Sequence, residues 1–156
     1  MEAVFSLSGA LVMPFWALMI FLPRWPWTER LARSWWIVAL PAAGYLVLVA
    51  PELPVLLPLL ARPTLASVAP LLGSARGATI AWLHFLAFDL FVGRAVYLDA
   101  RERGVPSWLT SLILGAVLMV GPLGLLAYLF ARLAWSAPAS RPPSTNAAVT
   151  TTDAPS

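Results

Sequence analysis

TIAWLHFLAFDLFVGRAVYL, at residues 79–98, is the stretch that decides the fold of this chain. It is apolar and long enough for a helix to cross a bilayer, yet it contains His84 and Asp89 and has Arg94 near its end. A charged side chain near the bilayer centre costs about 2.5–3.5 kcal/mol on insertion scales. We therefore expect these groups to be buried inside a helix bundle, paired, or used for function.

The composition predicts an all-α integral membrane protein. The 156 residues are 60% hydrophobic and 11% charged, with a mean hydropathy of +0.82, and a soluble domain of this length could not cover so much apolar surface. The absence of cysteine excludes disulfides and thiolate nucleophiles, and one histidine with scattered carboxylates predicts no metal site and no other cofactor. The net charge of +3 comes from arginines that we expect at membrane interfaces, so no nucleic-acid partner is expected.

Four apolar segments predict a four-transmembrane-helix bundle over residues 1–135, with spans at about 4–22, 35–57, 79–98 and 108–133. Within the second span, a series of prolines predicts that the helix ends near Ala50 and that residues 51–60 run extended along the interface. Residues 136–156, rich in Pro, Ser, Thr and Ala, are predicted to form a disordered tail.

The distribution of arginines predicts an orientation. The loops after the first and third spans carry six arginines and the opposite side carries four, which favours these two loops in the cytoplasm and both termini outside. The use of arginine without lysine and the alanine-rich composition favour a bacterial inner (cytoplasmic) membrane.

Helical geometry groups Asp89 with Trp82 and Phe85 on one face of the third span, because the three recur at three- and four-residue steps. His84 lies about 140° around the helix from Asp89 and about 7.5 Å along it. The two side chains therefore meet only in a cavity that wraps round the helix. Asp89 is either a structural polar group or a proton donor, and His84 is either a hydrogen-bonded interior histidine or a base.

Charged residues cluster where the third span ends. Asp99 and Arg103 form a favourable i,i+4 pair. Together with Arg94 they form either a solvated helix end or a site for a polar head, such as a lipid phosphate or the oxygen of an end ring. Elsewhere, PFW at 14–16, which includes Trp16, and GPLG at 121–124 predict kinks that open pockets.

Three stretches carry a resemblance to a known family: MPFWALMIFLPRWPWTERL at 13–31, a longer stretch at 62–108 that contains AWLHFLAFDLFVGR, and GPLGLLAYLFAR at 121–132. They resemble the neoxanthin-synthase-like family, also called the abscisic-acid-deficient-four-like family. Its members are small four-helix membrane proteins, and the plant member is required to form the allenic carotenoid neoxanthin from the epoxide violaxanthin.

The resemblance implies a carotenoid or related isoprenoid ligand, held among membrane lipids. Opening an epoxide to an allene requires one group to protonate the epoxide oxygen and another to remove a proton from the polyene. By analogy, Asp89 and His84 are the candidate acid and base of an isomerase-type enzyme. The candidate ligand contacts are Trp82, Phe85, Arg94, Trp16 and Asp99.

The small size of the chain and its many aromatic residues also favour an alternative function. The chain would then be a non-catalytic pigment-binding or structural subunit of a larger membrane complex, for example a photosynthetic one, or would assemble as a homo-oligomer. A small proton-translocating transporter is a third interpretation, although the sequence has no visible inverted repeat.

Overall fold

The computed structural model describes residues 1–135, and the predicted disordered tail at 136–156 lies outside the described residues. Within residues 1–135 every regular element is helical, as predicted. The elements are α1 Glu2–Phe21, α2 Pro26–Arg33, α3 Trp36–Val49, a short 3-10 turn Ala50–Glu52, α4 Leu53–Ala61, α5 Leu65–Gly73, α6 Ala75–Glu102 and α7 Ser107–Ala134.

Four helical segments are long and apolar enough to cross a membrane, which supports an integral membrane protein: Glu2–Phe21, Trp36–Ala61, Ala75–Glu102 and Ser107–Ala134. The second of these joins α3, the 3-10 turn and α4. The expectation that residues 51–60 are extended is wrong, because Leu53–Ala61 is an α-helix. Pro54 lies in its first turn, where the N–H that proline lacks has no intrahelical partner in any case.

The long helix α6 is the centre of the bundle and packs against α1, α3 and α7. α1 runs parallel to α6 along its whole length: Phe5 stacks on Trp82, and the Tyr97 hydroxyl donates a hydrogen bond to the Pro23 carbonyl at 2.8 Å. Between these points Trp16 lies against Gly93, where a Cβ would come 2.8 Å from the Trp16 Cζ3. Only glycine allows this close approach of the indole to the α6 backbone.

The helix α7 doubles back on itself at its middle. Its backbone leaves the helical region at Val120 and Gly121, with φ and ψ of −140° and 41°, then 9° and −79°. Gly124 packs so closely on Val117 that a Cβ at position 124 would lie 2.5 Å from the Val117 Cα. In a continuous helix these two residues would be separated by about 10.5 Å along the axis.

The contacts of α7 with α6 lead to the same conclusion. A Cβ at Gly121 would lie 2.7 Å from the Asp89 Oδ1, whereas Tyr128 and Arg132, farther along α7, both contact Asp99. A straight α7 antiparallel to α6 would carry Tyr128 about 25 Å away from Asp99. Residues 122–134 therefore run back along α6. We call α7 the α7 hairpin, with its tip at residues 120–122.

The hairpin corrects one part of the predicted topology. The fourth span, 108–133, was expected to cross the bundle once, but hydropathy reports only length and composition and cannot detect a reversal. Both ends of α7 lie at one end of the bundle, and Met1 lies at the other end, against Ala75 and Ala78. The two ends of the described chain therefore lie at opposite ends of the bundle, whereas the arginine counts predict both termini on one side of the membrane.

We call the end formed by residues 22–36, 98–107 and 132–135 the arginine-rich end. The short helix α2 lies here, and its Glu29 pairs with Arg33 at 3.0 Å and with Arg101 at 2.8 Å. The hydrogen bond from Arg33 and the charge of Arg101 hold the pKa of Glu29 below its usual value of 4.5. The α7 hairpin returns Arg132 to this end of the bundle. Seven arginines are found here: Arg24, Arg30, Arg33, Arg94, Arg101, Arg103 and Arg132.

Candidate functional site

A cavity of about 590 Å³ lies at the tip of the α7 hairpin and contains the carboxyl group of Asp89. We call it the Asp89 cavity. Three helices form it: α1 and α6 supply one wall each, and the hairpin tip closes the end. It is lined by Met13, Trp16, Trp82, Phe85, Leu86 and Asp89 together with residues 118–122.

The cavity exists because α7 does not cross the whole bundle. α1 and α6 remain side by side from the arginine-rich end to Phe5 and Trp82, but α7 accompanies them only as far as Asp89. Beyond the tip, no part of α7 fills the space beside the α1–α6 pair. Non-helical backbone within the membrane is tolerated where it lines a cavity, which is the situation of Val120 and Gly121.

Among residues 1–135, the carboxyl group of Asp89 is the only ionisable group that lines this cavity. It is half-buried, and it takes part in none of the side-chain hydrogen bonds or ion pairs found among residues 1–135. It lies against Gly121, where a Cβ would come 2.7 Å from its Oδ1, so a side chain at position 121 would displace the carboxyl group. An unpartnered carboxyl in an otherwise apolar cavity is free to exchange a proton with a bound ligand.

His84 lies in a different cavity, so the structure does not bring the two candidate catalytic groups together. This second cavity has a volume of about 330 Å³ and lies between α6 and the α3–α5 segment. The imidazole stacks on Phe88 at 4.6 Å and lies 5.6 Å from the ring of Tyr45. Of the described residues, Phe85 alone lines both cavities.

Arg94 lies at the arginine-rich end, outside the Asp89 cavity. Its side chain is buried, its Nη2 donates to the carbonyl of Arg33 at 3.2 Å, and its guanidinium lies 4.3 Å from the ring centre of Trp35. The cation is thus held by an aromatic face and a carbonyl. This geometry ties α6 to the segment that joins α2 to α3.

Asp99 is also outside the Asp89 cavity, and one of its two carboxylate oxygens is held by protein partners. Its Oδ2 accepts hydrogen bonds from Arg103 at 2.8 Å, from Arg132 at 2.9 Å and from the hydroxyl of Tyr128. The carboxylate therefore joins the end of α6 to the returning half of the hairpin. All three donors share Oδ2, and among residues 1–135 no side-chain hydrogen bond to Oδ1 is found, so one oxygen keeps its acceptor capacity.

Of the seven candidate residues, the structure brings four together in one cavity, namely Asp89, Trp82, Phe85 and Trp16. It leaves His84, Arg94 and Asp99 outside. The residues that sequence reasoning missed are Met13 and the hairpin tip. The signal for the tip was present in GPLG at 121–124, which predicted a kink and not a reversal. Within residues 1–135 no group of three or more His, Asp or Glu side chains is arranged to hold a metal ion.

Comparison with known proteins gives one match. Residues 3–128 match the model of the protein family described as ABA DEFICIENT 4-like. The match covers most of the chain and includes all residues that line the Asp89 cavity. Neither a curated protein nor a solved structure matches the chain.

Proposed function

The chain belongs to the ABA DEFICIENT 4-like family, and on that premise we propose that it is a neoxanthin-synthase-like membrane protein that acts on a carotenoid or related isoprenoid. The ligand places an oxygenated end ring in the Asp89 cavity, where an epoxide is opened by isomerisation. The observation that carries this proposal is the unpartnered carboxyl of Asp89 in a large, apolar, aromatic-lined cavity.

Conversion of an epoxide to an allene is an isomerisation and needs proton transfers only. The proton goes to the epoxide oxygen, and the bond from that oxygen to the ring carbon bearing the polyene breaks. The neighbouring polyene carbon loses its proton, and the electron pair of that C–H bond forms the second double bond of the allene. The oxygen remains on the ring as a hydroxyl group, so atoms and electrons balance without a redox partner.

A single carboxyl group has the functional groups for both transfers. In its neutral form Asp89 offers one O–H donor and one acceptor oxygen. The O–H gives its proton to the epoxide oxygen, and the carboxylate then takes the proton from the polyene carbon, which restores the acid. His84 lines the other cavity, so the proposal assigns both steps to Asp89 and gives His84 no proton to transfer.

The proposal is tested by expressing the chain in a host that accumulates violaxanthin and separating the extracted pigments by chromatography. Production of an allenic isomer by the native chain and its loss in Asp89→Asn, at equal membrane abundance, are the expected results. Glu102→Gln is the matched control, because this exposed carboxylate lies at the arginine-rich end, away from the cavity. Unchanged pigment in the presence of abundant native protein would contradict the proposed reaction.

The remaining parts of the proposal concern location and assembly. The arginine and alanine usage favours a bacterial inner membrane. A pigment that copurifies with the protein but is never converted would favour the alternative function, a pigment-binding subunit of a larger membrane complex.

A further inference from the structure

A third cavity, separate from the His84 cavity, continues the line of the Asp89 cavity toward the end of the bundle where α1 begins. It has a volume of about 380 Å³ and lies between the first turn of α1 and the first turn of α6. Ala75 and Ala78 are its α6 residues, and Glu2 and Ser6 are polar groups at its edge. We call it the N-terminal cavity.

The two cavities follow the same seam between α1 and α6, and one aromatic pair lies between them. Phe5 lines the N-terminal cavity, Trp82 lines the Asp89 cavity, and their rings stack with centres 5.1 Å apart. Phe5 is 41% exposed and Trp82 is 38% exposed. Because the pair lies at the surface, its rings can move apart without opening the core of the bundle.

The α7 hairpin explains why this seam is open. Its tip stops beside Asp89, so α7 does not cover the half of the α1–α6 seam that runs from Asp89 to Ala75. Fourteen residues of α6 separate these two positions, which corresponds to about 21 Å along the helix.

We propose that the Asp89 cavity and the N-terminal cavity are the two parts of one groove that binds a rod-shaped isoprenoid along the α1–α6 seam. The inference rests on the proposed function. The reacting end ring lies at Asp89, the polyene passes between Phe5 and Trp82, and the chain leaves the groove beside Glu2 and Ser6. Aromatic faces suit a conjugated chain, and the polar edge suits the point where the ligand reaches the interface.

The groove is too short to hold the whole ligand, so the protein binds only one end of it. A carotenoid is about as long as the hydrocarbon core, roughly 30 Å, whereas the groove extends for about 21 Å. The far end of such a ligand therefore projects beyond Glu2 and Ser6 and is not contacted by the protein. The chain should accept different end groups at the far end and remain selective for the ring at Asp89.

Filling the N-terminal cavity separates this inference from the proposed reaction. Ala78→Phe places a ring in the groove far from Asp89, and Ala75→Phe does so from the neighbouring turn. Two probes are titrated against the purified protein in detergent by absorbance and tryptophan fluorescence: violaxanthin, which needs the whole groove, and β-ionone epoxide, which has only the epoxide ring and a short chain.

The groove predicts that Ala78→Phe and Ala75→Phe weaken violaxanthin binding by about tenfold or more and leave β-ionone epoxide binding unchanged. The unchanged probe shows that the variants are folded. Ala43→Phe, an exposed alanine on α3, is the matched control and should change neither. Undiminished violaxanthin binding in both cavity-filling variants would overturn the groove. A failure of the proposed function itself would appear elsewhere, as an Asp89→Asn protein that still converts violaxanthin.

Discussion

The hydroxyl of Tyr128 donates a hydrogen bond to the carboxylate of Asp99, and only a reversed α7 can bring these two groups together. Gly121, seven residues before Tyr128, lies beside Asp89, ten residues before Asp99. Beyond its tip, α7 therefore runs parallel to α6. Two straight helices joined by a short turn would instead run antiparallel. The reversal creates the Asp89 cavity, because it withdraws α7 from half of the bundle.

The hairpin makes a direct prediction about membrane topology. The chain has no cysteine, so single cysteines can be placed at Glu2, Glu102 and Ala134, which are all exposed, and labelled in intact cells with a membrane-impermeant maleimide. Glu102→Cys and Ala134→Cys should be labelled from the same side and Glu2→Cys from the opposite side. Accumulation of arginine at the end that holds Glu102 predicts that this side is cytoplasmic.

A single straight crossing by α7 would give a different labelling pattern. Ala134→Cys would then react together with Glu2→Cys, and that outcome would refute the hairpin. Labelling after the membranes are made permeable provides the control for each site, since all three cysteines should then react.

The close contact between Gly124 and Val117 predicts a sharp difference between two glycines of α7. A methyl group at position 124 would collide with the backbone of the opposite half of the hairpin, so Gly124→Ala should destabilise the protein by about 1–3 kcal/mol. At Gly115 a Cβ meets nothing within 4 Å. Gly115→Ala should therefore leave the stability unchanged or increase it, because alanine is the better helix former.

Thermal unfolding in detergent, followed by circular dichroism, measures both variants. Equal melting temperatures for Gly124→Ala and Gly115→Ala would show that the two halves of α7 do not touch at this point.

The ion pairs of Glu29 predict how stability depends on pH. Its pKa is lowered in the folded protein by Arg33 and Arg101, so its contribution is complete above the unfolded value of 4.5 and is lost as the pH falls through the folded pKa. Glu29→Gln should lower the melting temperature at neutral pH, and the difference from the native protein should narrow in acid. A gap that stays constant or widens toward acid pH would contradict this assignment.

Much of the fold and part of the site follow from the sequence. The apolar runs predict the helical segments, and the spacing of Trp82, Phe85 and Asp89 on one helical face correctly groups side chains that line one cavity. The same geometry puts His84 about 140° away from Asp89, and the structure has it in another cavity. The family resemblance, carried by the stretch at 81–94, is confirmed by the family match.

The reversal of α7 could not be predicted in this way. Both halves of the hairpin are as apolar as one continuous span, so hydropathy gives the same result for a hairpin and for a crossing. Gly121 and Gly124 matter through what their missing side chains allow, namely contact with Asp89 and with the Val117 backbone. These contacts depend on the tertiary arrangement and leave no periodic pattern in the sequence.

The central claim is that Asp89 alone carries the proton transfers, and the most direct test compares the conversion of violaxanthin by Asp89→Asn and His84→Ala, expressed at equal levels. The account predicts that Asp89→Asn loses about 10²-fold or more of its rate, as expected for removal of a general acid–base group, whereas His84→Ala keeps most of its activity. An equal loss in the two variants, or full activity in Asp89→Asn, would contradict it.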